Sequence, residues 1–336
     1  MDTLDEYQEQ IQPILQKLEK LRLEQLAKTK EFQVYYLLPA LLTIIAIPVY
    51  WKINPVMAFV IFGIAVAVGI QIATNTVSQP SQDYLNKFKK QIFTTFAKTY
   101  FSKISYQIEK KVSPKVFLNS ELFEQTPSDY NGKDCFRGKT KEGYKFQFSE
   151  ITAHKEDKLL FDGLFFELEM PTNFQSKVLV LPNKGKRSPK KVQTLEQLSL
   201  KGLTADGDLV AVANVYPKFE KDFVVYSHSK EMAYYILTPP IIEGIYAIYQ
   251  KWNLKPQISF INNRIYVAIA AKYETYLPNI HTSLVENAAL IELLQELSAT
   301  FEVINHLCVA SAAPPEDLPE NEDNSSANDD FPSLED

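Results

Sequence analysis

The two residues whose types and spacing best suit catalysis are Glu150 and His154, four positions apart in the segment SEITAH. In an extended strand, positions i and i+4 lie on the same face, where a carboxylate can orient an imidazole as a base or metal ligand. The alternative is a pair of surface neighbours without a chemical role. The catalytic interpretation supports one hypothesis for function, a membrane-tethered enzyme of unrecognised type that acts on lipid or envelope precursors.

A second group of residues that could do chemistry is basic and lies in the segment PNKGKRSPKK. Its cationic side chains are suited to contact with an anionic surface: Lys184, Lys186, Arg187, Lys190 and Lys191. Anionic lipid fits this cluster best if the chain is already tethered to a membrane. Nucleic acid is not expected, because no aromatic side chains that stack on bases are interleaved. A solvated loop between strands is the alternative interpretation.

Other catalytic and cofactor signatures are missing from the sequence. The ten glycines form neither a GxxxxGK nor a GxGxxG loop, and no GxSxG motif occurs. Cys135 and Cys308 are far apart and belong to no CxxC pair, which predicts buried thiols rather than a zinc site. We therefore predict no cofactor and no metal, and a binding or scaffold domain rather than an enzyme.

Two long apolar runs near the N-terminus predict the cellular location of these residues. Residues 34–51 contain no charged residue, and a second uncharged run starts at Pro55. Each run is long enough to cross about 30 Å of hydrocarbon, which predicts a transmembrane hairpin over residues 34–74. Aromatic rings at the lipid surface and small residues for close helix packing identify its anchor residues: Tyr35, Tyr50, Trp51, Gly63 and Gly69. Neither run holds an ionisable residue, which favours an anchor over a transporter.

Lysine and arginine placement predicts the orientation of this hairpin. Basic residues flank it on both sides, whereas the short turn between the runs contains Lys52 alone. Positively charged flanks stay in the cytoplasm. We therefore predict a multi-pass protein of the bacterial inner (plasma) membrane with N- and C-termini in the cytoplasm.

The rest of the chain divides into four segments. The apolar spacing in residues 1–33 predicts a cytosolic amphipathic helix, or a short coiled coil, that Pro13 interrupts. Its apolar stripe is expected to be buried against the domain or against a second copy of the chain. Residues 75–112 predict a lysine-rich, membrane-proximal amphipathic helix that packs on the domain or, alternatively, lies on lipid headgroups. Residues 113–310 predict a globular cytosolic domain, and residues 311–336 a disordered acidic tail.

The pattern within residues 113–310 predicts an α+β fold, in which the two-helix transmembrane hairpin is followed by a mostly antiparallel sheet domain with packed helices. Alternating apolar residues predict separate strands at 159–170 and 177–181, and a hairpin whose tight turn is Asn262-Asn263. Helices are predicted at 229–237, after Thr238, and after the capping box that begins at Ser283.

Charge is unevenly divided along the chain. Residues 1–272 hold all 35 Lys and Arg residues, whereas 14 of the 41 acidic residues follow Lys272. The net basic body would gain from anionic headgroups nearby.

Several segments together resemble a family of bacterial two-pass membrane proteins that bear domain of unknown function 3137. They are Phe148-Ser-Glu-Ile with Ala153, Phe161-Asp-Gly-Leu-Phe-Phe, the strand Phe174 to Leu181, Phe223-Val-Val-Tyr-Ser, the segment AYYILTPP from Ala233 to Pro240, and Ile258 to Ile269. The likeness covers roughly residues 80–275 and the preceding hairpin. The resemblance implies the same architecture, and the family offers no catalytic residues to carry over.

These observations predict a membrane-anchored cytosolic binding or scaffold domain. Its expected partners are the lipid bilayer, another protein at the cytosolic face of the membrane, and a second copy of the chain in a homo-oligomer.

Overall fold

The computed structural model describes residues 2–31, 37–52, 55–73, 79–123, 125–183, 209–212, 216–271, 278, 281–283 and 288–311. The N-terminal part contains four long helices: α1 (Asp2–Glu31), α2 (Leu37–Lys52), α3 (Pro55–Ala73) and α4 (Gln79–Tyr100). α1 packs on α4, and α2 packs on α3.

α1 continues through Pro13, so the prediction that this proline interrupts the helix was wrong. The buried side chains Ile11, Leu15 and Leu18 repeat at helical spacing on both sides of the proline. Their burial in the common core of the domain stabilises the helix against the loss of one backbone hydrogen bond at Pro13. Of the two predicted ways to bury this stripe, the structure shows packing on the domain.

α4 directs its aromatic face into the core. Phe88, Ile92, Phe93 and Phe96 are buried, whereas Lys87 and Lys90 on the other side of the helix are exposed. The predicted packing on the domain is therefore present, and this apolar face does not contact lipid headgroups.

Seven strands in the described part of the chain form one antiparallel sheet: β1 (Lys103–Gln107), β2 (Asp129–Lys139), β3 (Lys145–Lys155), β4 (Lys158–Pro182), β5 (Val210–Val212), β6 (Phe223–Ser227) and β7 (Gln257–Ile269). The order is β1-β2-β3-β4-β6-β5, and β7 pairs with the opposite edge of β4. The predicted combination of helices with an antiparallel sheet is confirmed.

β4 is one strand of 25 residues, not the two strands that were predicted. Its first part pairs with β3 and its last part with β6, so that Pro171 falls between the two paired stretches. β7 is also continuous, and the predicted hairpin turn at Asn262-Asn263 was wrong. Asn262 has φ of +53°, but Asn263 does not have positive φ, and a two-residue type I′ turn requires it at both positions.

Five further helices of the described chain are α5 (Pro114–Asn119), α6 (Phe219–Asp222), α7 (Lys230–Ile236), α8 (Pro239–Trp252) and α9 (Ala288–Ser311). Ser229 caps α7, because its side chain accepts a hydrogen bond from the Met232 backbone N–H. Thr238 and Pro239 start α8 as predicted. Of the predicted capping box, Ser283 to Glu286, residues 284–286 lie outside the described residues.

The two faces of the sheet differ. α1, α4, α8 and α9 bury one face in the main core, which includes Phe148, Phe166 and Leu168. The smaller core on the other face includes Phe165 and Phe117 of α5. Because side chains alternate along a strand, Glu167 and Glu169 of β4 point to this second face beyond the area that α5 covers. In the described ranges, no helix meets both the length and the apolarity needed to cross a membrane.

Candidate functional site

On the second face, beside the area that α5 covers, the described residues form an open cavity of about 620 Å³. Side chains from five strands line it: Lys103 and Ser105 of β1, Arg137 and Lys139 of β2, Lys145 and Gln147 of β3, Glu167 and Glu169 of β4, and Arg264 of β7. We call this cavity the basic groove. It holds five basic residues against two acidic ones, so its net charge is positive.

A hydrogen-bonded network forms the floor of the basic groove. Arg137 Nε donates to Gln147 Oε1 at 3.1 Å, and Gln147 Nε2 donates to Glu167 Oε2 at 2.5 Å. Arg264 Nη1 donates to the other oxygen of Glu167 at 2.7 Å. The Glu167 side chain is only 7% exposed, and both of its carboxylate oxygens accept hydrogen bonds. The network therefore fixes the directions of two arginines.

Tyr266 adjoins this network on the same sheet face, directly opposite Glu167 in the register of β4 and β7. Burial raises the pKa of Tyr266, and the negative charge of Glu167 raises it further. The phenol therefore stays protonated at neutral pH.

Three lysines form a row along one edge of the groove. Lys103 of β1 lies opposite Lys139 of β2, which in turn lies opposite Lys145 of β3. Lys145 Nζ lies 3.1 Å from Glu169 Oε1. In the described part of the chain, Lys103 and Lys139 form no ion pair. The row therefore presents two unpaired cations to solvent within the groove.

A second charged arrangement lies on the other face, inside the main core. Lys89 Nζ of α4 lies 2.6 Å from Asp134 Oδ2 of β2, and Tyr106 donates its hydroxyl hydrogen to Asp134 Oδ1. Asp134 occupies a register irregularity of β2 and has φ of +56°. Both charged side chains are almost fully buried, so this arrangement joins α4 to the sheet and is closed to a ligand.

The α2–α3 pair has an unusual distribution of side chains. Ala58 and Ala65 are the buried positions of α3, whereas Phe59 of the same helix is 70% exposed. In α2, Ile44 is 66% and Ile47 is 61% exposed. Small residues are therefore on the inside of the helix pair and large apolar residues are on the outside, the reverse of a water-facing hairpin.

The predicted anchor residues lie in different environments. Gly69 lies at the helix contact, where an added Cβ atom would be 3.7 Å from the Pro39 Cβ, but Gly63 faces open space. Tyr50 is exposed and packs edge-on against Phe59, with ring centroids 6.3 Å apart. Tyr35 and the side chain of Trp51 lie outside the described residues.

The predicted basic cluster, Lys184, Lys186, Arg187, Lys190 and Lys191, also lies outside the described residues, as does the acidic tail from residue 312 onward.

The structure does not bring Glu150 and His154 together. Both belong to β3, in which four residues span about 13 Å at about 3.3 Å per residue. Glu150 is buried, whereas His154 Nδ1 lies 3.9 Å from Asp129 Oδ2 on a partly exposed site. Neither residue lines the basic groove. The enzyme hypothesis thus loses the pair on which it depended.

Both cysteines are free and buried, as predicted. Burial raises the pKa of the Cys308 thiol to about 12, so it stays protonated and unreactive at neutral pH. Among the described residues, no group of three or more His, Cys, Asp and Glu is placed to hold a metal ion.

Sequence inspection missed the basic groove. A signal was present in the alternation of Lys145, Gln147, Glu167 and Glu169 with aromatic and aliphatic residues, because such polar positions share one face of a strand. The alternation does not show which strands are neighbours, and the groove exists only through that pairing.

A protein-family model described as "Protein of unknown function (DUF3137)" matches residues 159–308. The predicted resemblance to this domain is confirmed over that stretch, which includes β4, β6, β7 and most of α9. The match does not include α2 and α3, so the two-pass membrane part of the resemblance stays a prediction.

No curated protein matches the chain. Among solved structures, the crystal structure of the mycobacterial trehalose monomycolate transport factor A, TtfA, aligns with a TM-score of 0.33 and 12% sequence identity. The alignment covers 65% of this chain and 95% of that chain. A likeness of this size does not establish a common function.

Proposed function

We propose that this chain is a membrane-anchored protein whose α+β domain is a binding or scaffold domain at the cytosolic face of the bacterial inner membrane. The observation that supports the anchor is the outward direction of the large apolar side chains of α2 and α3. Its expected partners are the bilayer, a second protein at that face, and a further copy of this chain.

Exposure of the apolar surface of the hairpin to water is unfavourable in free energy. Exposed large apolar residues occur along both helices: Leu41, Ile44, Ile45, Ile47, Val56, Met57, Phe59, Val60, Phe62, Ile64, Val66 and Ile70. Removing one such side chain from water is worth about 1.5–3 kcal/mol. A continuous apolar patch of this extent indicates a lipid or protein contact, because monomers in water rarely expose one. Lipid fits better than protein, because the apolar residues lie on several sides of the helices.

Helix length bears on how deeply the hairpin inserts. α3 has 19 residues and α2 has 16, which correspond to about 28 Å and about 24 Å at 1.5 Å per residue. The hydrocarbon core of a bilayer is about 30 Å thick. We therefore propose that the hairpin inserts into lipid. We further propose that it crosses the bilayer twice, with both termini in the cytoplasm.

A binding role suits the domain better than catalysis. The basic groove is concave, polar and positively charged, and a buried carboxylate holds one of its arginines, Arg264. Among the described residues that line the groove, none is a His or a Cys.

Membrane fractionation tests the anchor. Full-length protein should stay in the membrane pellet through an alkaline wash and be released by detergent. The triple variant Ile44→Glu, Ile47→Glu, Phe59→Glu should lose this retention, because carboxylates oppose insertion. The control variant Leu118→Glu, Leu159→Glu, Leu254→Glu changes exposed apolar residues of the domain by the same charge and should stay in the pellet. Wild-type protein in the supernatant without detergent would contradict the proposal.

Cysteine labelling tests the finer topology. Lys141→Cys in the exposed β2–β3 turn should react with an impermeant maleimide only after the inner membrane is opened. Asn54→Cys, between the two apolar runs, should react in intact cells if the hairpin crosses. Protection of residue 54 in intact cells would show that the hairpin enters the bilayer without crossing it, and labelling of residue 141 would place the domain outside.

Purification in mild detergent distinguishes the two functions. A binding or scaffold domain should elute with a defined stoichiometric partner or as a homo-oligomer. A protein that is consistently solitary and turns over a lipid or envelope precursor would instead support the enzyme alternative.

A further inference from the structure

The lysine row in the basic groove lies in the least favourable arrangement that a sheet offers for equal charges. Lys103, Lys139 and Lys145 are directly opposed on three adjacent strands. Like charges directly opposite one another destabilise a sheet pair. A different side chain at any one of the three positions would remove part of this repulsion. A local cost of this kind is expected where a site must bind a ligand.

We propose that the basic groove binds a phosphate group through Lys103, Lys139 and Lys145. This inference rests on the proposed binding function and names the class of ligand. The groove itself is independent of the hairpin. A phosphate bound between the lysines would neutralise the charges whose repulsion the free protein tolerates. The ligand chemistry is a phosphate monoester, which a lipid headgroup and a free phosphorylated compound share.

Of the basic groups in the groove, Lys103 and Lys139 are the most available to a ligand, whereas Lys145 is paired with Glu169. Arg264 is held by Glu167 at 2.7 Å and lies 3.6 Å from Glu169, so its charge is already balanced. Arg137 Nε is held by Gln147. In the described part of the chain, Lys103 and Lys139 have no acidic partner, so their ammonium groups are the ones that a ligand can engage at no cost to an existing ion pair.

The size of the groove favours a phosphate that carries an organic group. A cavity of about 620 Å³ is within the range of about 300–1,000 Å³ for small-molecule sites. A bare anion would fill a small part of it. The remainder of the lining offers hydroxyl and amide groups, such as Ser105 and Gln147, to the rest of the ligand.

Calorimetry on the full chain in uncharged detergent tests the site with inorganic phosphate as the probe. The groove variant Lys103→Gln, Lys139→Gln should bind phosphate about tenfold more weakly or worse than wild type, because it loses two charge-assisted hydrogen bonds to the anion. The control variant Lys98→Gln, Lys158→Gln removes two exposed lysines outside the groove and should bind like wild type. Equal affinity of wild type and groove variant would overturn the inference.

Thermal unfolding provides a readout that a purely structural role would not give. Without phosphate, the groove variant should unfold at the same temperature as wild type or higher, because it loses the repulsion within the row. Phosphate should raise the unfolding temperature of wild type and of the control variant but not of the groove variant. A groove variant that is less stable than wild type would show that the lysines serve the fold, and would also overturn the inference.

Nanodiscs separate the two sources of phosphate. In phosphatidylcholine nanodiscs, wild-type protein should bind inorganic phosphate as it does in detergent. Addition of phosphatidic acid should abolish that binding if a lipid headgroup occupies the groove, and should leave it unchanged if the ligand is a free compound. Loss of membrane retention in fractionation would defeat the proposed function and leave phosphate binding measurable in detergent. Retention with no phosphate binding would defeat this inference alone.

Discussion

Lys89 Nζ lies 2.6 Å from Asp134 Oδ2, and the two side chains are only 6% and 1% exposed. The pair joins α4 to the register irregularity of β2, where the Asp134 backbone N–H also donates to the Ile108 carbonyl. Asp134 adopts a positive φ that aspartate and asparagine tolerate better than most residues. The contact therefore fixes the helix that follows the hairpin to the sheet that carries the basic groove.

Asp134→Asn should destabilise the domain by about 3–5 kcal/mol, because it leaves the Lys89 charge buried without its partner. Asparagine has nearly the same shape and tolerates the positive φ, so the loss reports the charge rather than the backbone. Denaturant unfolding in detergent measures the effect. The double variant Lys89→Met, Asp134→Asn should recover part of the loss, since no isolated charge remains buried. A double variant that equals the sum of the two single losses would contradict this account.

Gly163→Ala should destabilise the sheet by about 1–3 kcal/mol or more, as forced overpacking does. Gly163 has φ of +158°, and a Cβ atom there would lie 2.2 Å from the Ile269 carbonyl oxygen. That oxygen belongs to the backbone of β7, which cannot move without disturbing its pairing with β4. Gly63→Ala in α3 is the matched control, because nothing lies within 4 Å of its added Cβ atom. Unfolding midpoints that shift equally in the two variants would refute the steric explanation.

Local features of the fold were predictable where short-range chemistry determines them. Ser229 and Pro239 identified two helix starts, because side-chain capping and proline preference act within a few residues. Thr238 is at the N-cap of α8 as predicted, but its side chain makes no capping hydrogen bond. The alternation of apolar and polar residues around Phe166 identified the first part of β4. The aromatic face of α4 predicted burial against the domain, and Phe88 and Phe96 are buried.

Features that depend on strand partners were not predictable. Separate strands were predicted at 159–170 and 177–181, but β4 runs through both because its partner changes from β3 to β6 along its length. Asn262 suggested a turn, but a register irregularity opposite β4 accommodates its positive φ. The lysine row has the same origin, since Lys103 and Lys139 are 36 positions apart and face each other only after β1 pairs with β2.

Phe301→Ala should cost about 3–5 kcal/mol, because its ring joins α9 to α4 and to the sheet. The Phe301 ring centroid lies 5.2 Å from that of Phe101, 5.3 Å from that of Tyr100 and 5.6 Å from that of Phe136. Thermal unfolding measures the loss. Ile291→Ala on the same helix is the control, since that side chain is exposed and should change stability little. A Phe301→Ala loss no larger than that of the control would exclude the aromatic cluster as a main contributor.

Glu296 should make stability depend on pH between about 4.5 and 7. Burial, with a smaller contribution from the charge of Glu292, raises the pKa of Glu296 from 4.5 to about 7 in the folded protein. Because the folded protein binds the proton more tightly than the unfolded chain, this contribution to stability is complete below pH 4.5. It is lost as the pH rises through about 7.

Glu296→Gln keeps the shape of the side chain and stays neutral at every pH. We expect it to stabilise the protein by about 1 kcal/mol at pH 8, less than the whole shift would give, because the side chain is half-buried and water screens its charge. The difference from wild type should shrink towards zero near pH 4.5. Denaturant unfolding at a series of pH values checks this, and Glu292→Gln is a control that should show a weaker dependence. A stabilisation by Glu296→Gln that is independent of pH would show that its charge is not the cause.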